Sequence, residues 1–407
     1  MTVVKSGSPA ANKIFNAALF TQATRANNFT NLMTDNAPKS VDTNKNNPSK
    51  QTQSGAPIVR VTDLAKSKGE EVTMDLYHEL KGRPTMGDKK LAGRGESLTS
   101  SQFTAKINQG RHMLDSGGKM TQQRTMQDLV QIANSMLAPY YLKYSDEVTH
   151  VQLAGARGND LAGWILPDAS DSEFNELIVN PIVPPTFDRH FYGNDATSLT
   201  NLDSTDKFSL ADVDKLRLAI DEMANPLQPV KFAEDPAAED NPFYVLLVTP
   251  RQWYDINRSA DGSMIRTLQA NAFARGNQFK HPIFVGDCWL WNNILIKKSR
   301  RPITFNAGSS VTVCTNTADA QTTNVTAAVK TDRAILLGAQ ALADIYGQSG
   351  KASDGGYYFS MNTEDTDHGN AKEHSIGWMN GKAKIRFKGV NGWVSDHGVM
   401  VLDTARS

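Results

Sequence analysis

The feature that most constrains the fold of this 407-residue chain is one unbroken apolar stripe that begins at Thr125. Met126, Leu129, Val130, Ala133, Met136, Leu137, Tyr140, Tyr141, Tyr144 and Val148 keep the three-and-four spacing of a helix face for roughly six turns. Thr125-x-x-Asp128 has the spacing of a capping box, with an acid where Glu or Gln is usual. The spacing predicts one amphipathic helix of about 35 Å or more. Pro139 is expected to kink it by removing an internal hydrogen bond. Leu129, Ile132, Met136 and Leu137 are the expected core of this helix, and the tyrosine stripe is packing surface rather than a cofactor site.

The regions on either side differ in character. Met33 to Pro57 holds four apolar residues (Met33, Ala37, Val41, Ala56) among Asn, Ser, Thr, Lys and Pro, too few for a core of its own. Ahead of it, Ala11, Ile14, Phe15, Ala18 and Leu19 share one helical face. Residues 1–58 are therefore expected to form an arm, a small helix on a flexible tether. Residues 59–118 carry β-like runs at Val72 to Leu80 and Gln102 to Met113, with a glycine-dotted basic stretch between them. Lys81, Arg83, Lys89, Lys90 and Arg94 face one acid, Asp88, in that stretch, which predicts a projecting polar loop.

After the long helix, residues 119–205 end in a proline-rich connection (Pro167, Pro181, Pro184, Pro185), and an alternating α and β region follows. Ser209-x-x-Asp212 opens a helix with Leu210, Val213, Leu216, Ile220 and Met223, and Phe243 to Val248 is the continuous apolar run of a strand covered on both faces. Thr249-Pro250-Arg251-Gln252 supplies an N-cap, a first-position proline and a capping-box Gln. Further expected elements are a helix near Ser263 to Arg275, a strand Trp289 to Lys297, a strand Val329 to Leu336, a helix Gly338 to Tyr346 and short strands in Ile376 to Leu402. The fold class is α+β.

The 43 basic residues balance 43 acidic ones, so a dedicated nucleic-acid binder with a basic phosphate-contacting face is not expected. Two cysteines make no disulfide framework and suit a reducing compartment, and no apolar run is long enough to span a membrane. His368 and His374 lie among Glu364, Asp365, Asp367 and Glu373, but the spacing matches no zinc or calcium motif, and a solvated loop is expected. Gly347 to Ala352 imitates half a phosphate loop after a helix and lacks its Ser or Thr, so a turn is expected. Cys288 has no nearby base and is expected to be a buried structural thiol. No catalytic constellation emerges, and neither a cofactor nor a metal is expected.

The order of these pieces resembles the Hong Kong 97-type capsid fold. Short motifs narrow the likeness: Gly87-Asp88, Leu91-Ala-Gly93-Arg-Gly95-Glu96-Ser-Leu98, Ile107-Asn-Gln109-Gly-Arg111, Leu153-Ala-Gly155-Ala-Arg157-Gly158, Tyr244 to Pro250, Pro282 to Gly286 and Arg333 to Ala341. In that order they look like tailed-phage major capsid proteins of the coliphage N-four type. The resemblance implies an N-terminal arm (1–58), an extended loop (59–118), a peripheral domain with a spine helix (119–205), an axial domain (206–372) and a return to the peripheral domain (373–407).

It implies no enzyme but a structural protein that self-assembles into hexamers and pentamers, forming an icosahedral shell around double-stranded DNA. It implies Lys81, Arg83, Lys89, Lys90, Arg94 and Glu96 as inter-subunit contacts in the extended loop. The implied partners are further copies of the chain, a separate scaffolding protein, a portal protein, packaged DNA held without sequence preference, and room for a decoration protein, with no membrane. The implied location is the virion capsid, assembled in the host bacterial cytoplasm. The alternative is a soluble cytoplasmic α/β enzyme binding a small molecule within 206–347.

Overall fold

The structure, a computed structural model, describes residues 33–36, 55–61, 69–78, 80, 82–124, 129–159, 163–223, 225–232, 243–259, 262–279, 282–284, 288–299, 301–316, 318, 320–347, 359–389 and 392–406. The expected capping box at Thr125 to Asp128, the helix around Ile14 and the turn after Gly347 lie outside the described residues.

Two sheets share the long helix. The first has six strands in the order Thr34–Asn36, Ile58–Val61, Leu342–Tyr346, Ala371–Lys384 and Phe359–Thr366, with Asn108–Gly118 also pairing Ala371–Lys384. The second has seven: His190–Tyr192, Val399–Ala405, Thr331–Leu337, Tyr244–Val248, Ile294–Lys298 and Cys288–Trp291, with Ile303–Phe305 also on Thr331–Leu337. Tyr244–Val248 is buried at all five positions, as its apolar run requires. Alternation divides its side chains: Leu246 and Val248 pack with Val213, Leu216 and Ile220 of the helix Leu210–Glu222, while Val245 and Leu247 belong to the core that holds Val151 and Leu153 of the long helix.

Local signals behave as the sequence predicts. Ser209 and Asp212 form a reciprocal capping box on the helix Leu210–Glu222. Gln252 Oε1 accepts the Thr249 N–H at 2.9 Å while Gln252 N–H donates to Thr249 Oγ1 at 3.2 Å, starting the helix Pro250–Ser259.

The long helix spans Leu129–Ala154, 26 residues, and runs on through an exposed Pro139. Its burial differs from the expected stripe. Ala133, Leu137, Ala138, Tyr141 and Tyr144 are buried, and Leu137 is 2% exposed, but Ile132 is 38% and Met136 60% exposed, so these two are not subunit core. The side chain of Leu129 lies outside the described residues. The front half overhangs the first sheet, while the back half is enclosed on all sides. Residues 144–154 are buried without exception, polar ones included.

Five other expectations change. Gly338 to Tyr346 holds the strand Leu342–Tyr346 rather than a helix, with Leu342, Ala343 and Ile345 fully buried where it pairs with Ile58–Val61 on one side and Ala371–Lys384 on the other. Trp289 to Lys297 is a hairpin whose turn residues Asn292 and Asn293 take φ of 45° and 61°, the left-handed values of a tight reversal. The stretch around His368 and His374 is a paired hairpin, not a solvated loop: His374 is 0% exposed, with Nδ1 3.0 Å from Thr363 Oγ1. The boundary expected at 372/373 falls inside one sheet, since Phe359–Thr366 and Ala371–Lys384 pair, and Val399–Ala405 lies in the second sheet.

The fifth change concerns the arm. Met33 and Ala56 are 0% exposed, and Thr34–Asn36 and Ile58–Val61 extend the first sheet in parallel. Gln340 and Ala341 donate backbone hydrogen bonds to Ala56 O (2.9 Å) and Pro57 O (2.7 Å). A segment with few apolar residues cannot make a core alone, but here it completes one that other elements supply.

Candidate assembly surface

The antiparallel strands Glu71–Tyr77 and Ser100–Lys106 form a two-stranded ribbon. Its base is anchored: Val72, Ala105 and Ile107 are buried with Val59, Ala343, Ile385 and Phe387. Asn180 clamps it, its Oδ1 accepting from Lys106 N–H and its Nδ2 donating to Lys106 O, both at 2.9 Å. Beyond Tyr77 that support ends. In the connecting loop Leu80, Met86, Leu91 and Leu98 are 65–72% exposed, and Arg83, Lys89, Lys90 and Arg94 are exposed beside them. Lys81 lies outside the described residues. Glu96 has a part within the loop, its Oε2 accepting the Gly82 N–H at 2.6 Å and tying the two limbs together. Exposed apolar side chains rimmed by cations on a buried base are the kind of patch that marks interaction sites on protein surfaces.

Along the same part of the chain, Met113, Met120, Ile132 and Met136 are also exposed. Periodicity placed Met136 with the core because a helix face is defined by spacing alone. Only the position of the sheet reveals which turns it covers.

The charges inside the subunit are, by contrast, closely matched. Asp403 receives Arg333 Nε and Nη2 at 2.7 and 2.6 Å and sits 2.7 Å from His190 Nε2, and Arg333 Nη1 donates to Ala154 O at the end of the long helix. Burial by itself would raise the Asp403 carboxyl, but Arg333 and His190 outweigh it and hold the group well below the usual carboxylate range. Burial lowers His190 despite Asp403. A second knot joins Asp396 to Lys384 at 2.7 Å and Arg386 at 2.8 Å. Lys382 Nζ donates to Ser145 Oγ and Thr149 Oγ1 of the long helix at 2.8 and 2.6 Å, fastening the helix to the first sheet. No run of adjacent residues signals these pairs in the sequence, since their partners lie up to 237 positions apart.

The His190–Asp403 pair has the composition of a catalytic dyad, but its side chains are 4% and 0% exposed and Asp403 is committed to Arg333. In the region of the enzyme alternative a groove of about 380 Å³ is lined by Thr249, Arg251, Tyr254, Asp332 and Arg406. Thr249 Oγ1 donates to Asp332 Oδ2 at 2.8 Å, so the buried acid there serves the helix start. Among the described residues no three His, Cys, Asp or Glu side chains are grouped to hold a metal ion. Cys288 is buried and donates to Phe284 O.

Residues 3–407 match the family described as phage capsid protein. No curated protein matches the chain significantly. Among solved structures, the capsid of Ralstonia phage GP4 is similar over 91% of this chain and 99% of its own, with 24% identity and a TM-score of 0.70. The capsid of cyanophage Pam1 is similar over 86% and 89%, with 18% identity and a TM-score of 0.57. The head structure of Helicobacter pylori bacteriophage KHP40 is similar over 88% and 89%, with 12% identity and a TM-score of 0.56. The shared fold is the Hong Kong 97-like α+β capsid fold.

Proposed function

The chain belongs to the phage capsid protein family, and from that premise we propose that it self-assembles into hexamers and pentamers that close an icosahedral shell around double-stranded DNA. It is a structural major capsid protein, a constituent of the virion capsid that assembles into multimeric shells. The finer reading gives it no catalytic role. Its further partners are a separate scaffolding protein and a portal protein, with room for a decoration protein, and assembly takes place in the host bacterial cytoplasm. The packaged DNA meets its inner face without sequence recognition, in keeping with the chain's balance of 43 basic and 43 acidic residues.

The observation that carries the reading is the ribbon 71–106, firmly rooted at Val72, Ala105 and Ile107 and yet exposing Leu80, Met86, Leu91 and Leu98 at its far end. Such a loop gains its packing from outside the subunit, and in a shell the outside is an adjacent copy. On this reading Arg83, Lys89, Lys90 and Arg94 are contacts to that copy, and Glu96 shapes the loop that presents them. Replacing residues 83–97 by a short Gly-Ser linker tests it. The expected result is a folded subunit that no longer forms shells in electron micrographs, and normal shells from this variant would refute the assignment.

A further inference from the structure

The loop's excess of cations has a counterpart elsewhere in the chain. From Gly158 to Asp188 the sequence contains Asp160, Asp168, Asp171, Glu173, Glu176 and Asp188 and neither Lys nor Arg. Asp168, Asp171 and Glu173, on the turn that enters the short helix Phe174–Leu177, and Glu176 within that helix are all exposed. The ion pair of Asp168 is with Arg157 Nη2 at 4.0 Å, and its side chain remains 74% exposed.

Asp168 and Ser170 border a cleft of about 420 Å³ whose apolar lining comes from Phe174, Ile182, Pro184, Phe305 and Val311. Arg157 also lines it and is 6% exposed. Its Nε and Nη2 donate to Pro167 O at 3.0 Å and Leu166 O at 2.7 Å, while Nη1 has no acceptor among the described residues. A buried guanidinium nitrogen without an acceptor is costly, so this cleft is incomplete as it stands. Bordered by acids, apolar within and short of one hydrogen-bond acceptor, it fits an extended backbone that bears a hydrophobic side chain between cations.

The basic loop has that chemistry. Leu91 is 70% exposed, Lys89 and Lys90 precede it, and Arg94 follows through a turn in which Arg94 N–H donates to Leu91 O at 3.1 Å. Because Leu91 is exposed in its own subunit, the loop does not fill its own cleft. We propose that the cleft beside the end of the long helix receives the loop of a second copy. Leu91 enters among Phe174, Ile182 and Val311, and Lys89, Lys90 and Arg94 pair with Asp168, Asp171, Glu173 and Glu176. A loop carbonyl supplies the acceptor that Arg157 Nη1 lacks. This assignment rests on the reading that the loop contacts an adjacent copy, and it names the surface that receives it.

Charge exchange tests the pairing in the full-length chain, produced together with the other head proteins of the same phage. Reversing the rim (Asp168→Lys, Asp171→Lys, Glu173→Lys, Glu176→Lys) or the loop (Lys89→Glu, Lys90→Glu, Arg94→Glu) is expected to lower the yield of sedimenting shells by about tenfold or more, since like charges would then face each other. Both reversals combined should restore the yield to within about threefold of the parent. If the loop reversal abolishes shells while the rim reversal does nothing and the combination does not rescue, the receiving surface is wrong and the loop's role stands. If the loop reversal assembles normally, the loop's role itself falls. A second measurement is independent of any folding defect in the reversed chains. Lys90→Cys with Asp171→Cys should give a disulfide between copies in oxidised shells, because the native Cys288 and Cys314 are buried. Shells that form from this variant without that cross-link overturn the proposal.

Discussion

The second sheet and the basic loop are both rich in charge, and they use it in opposite ways. In the sheet, Arg333, Asp403 and His190 have their partners within 2.7 Å inside the subunit. In the loop, Arg83, Lys89, Lys90 and Arg94 stand exposed beside Leu91 and Met86. A buried ion must be matched at once because its desolvation cannot be recovered otherwise, whereas an exposed ion keeps its water until a partner arrives. Position therefore separates charges that hold one subunit together from charges available to bind another.

The sharpest way to break this contrast is to remove the acid at the centre of the sheet. Asp403→Ala leaves Arg333 buried without its counter-ion, and the expected loss is about 3–5 kcal/mol in chemical denaturation of the isolated subunit. A loss below about 1 kcal/mol, the range of an exposed pair, would mean that the sheet pair is no different from a surface one.

The long helix offers the same contrast in apolar residues one position apart. Leu137→Ala should cost about 2–5 kcal/mol, whereas Met136→Ala, at a 60% exposed site, should leave subunit stability within about 0.5 kcal/mol. If both weaken the isolated subunit equally, the overhang of the front half is incorrect.

Acid probes the buried side of the comparison. Burial, aided by Arg189, lowers His397 from 6.5 to about 4. Between those values the unfolded chain binds a proton that the folded one does not, so stability falls as pH falls. At roughly 1.4 kcal/mol per unit the loss by pH 4 is about 3 kcal/mol. His190, also lowered by burial, adds to it in the same direction, and Asp403, held low by Arg333 and His190, adds its own loss as the pH falls through the usual carboxylate range and below it. Denaturation of the parent and of His397→Gln at pH 7 and pH 4 measures this, with the variant expected to show the shallower dependence.

The smallest expected effect is in the loop. Lys89→Ala, Lys90→Ala and Arg94→Ala together should change the isolated subunit's stability by less than about 0.5 kcal/mol while weakening assembly and making it more salt-sensitive. Shell yields at low and high salt that equal the parent's would remove the loop from the interface.

Much of this was legible in the sequence wherever the cause is local. The capping boxes at Ser209 and Thr249 act across three residues, and a fully apolar run such as Tyr244–Val248 demands cover on both faces. The long helix and the exposed basic loop follow from spacing and composition, and the order of short motifs pointed to the capsid family.

The tertiary structure alone decided the rest. It determined that Met33 and Ala56, drawn from a polar tether, close a core, and that Ala343 sits in a strand rather than a helix. It also determined that Glu147, Thr149 and His150 are buried at the back of a helix whose front exposes Met136. The physical reason is range. Capping and periodicity are set by neighbours within about four residues. Burial of a given turn, and the partner of a buried charge such as Asp403 for Arg333 70 positions away, depend on which elements the topology stacks against it.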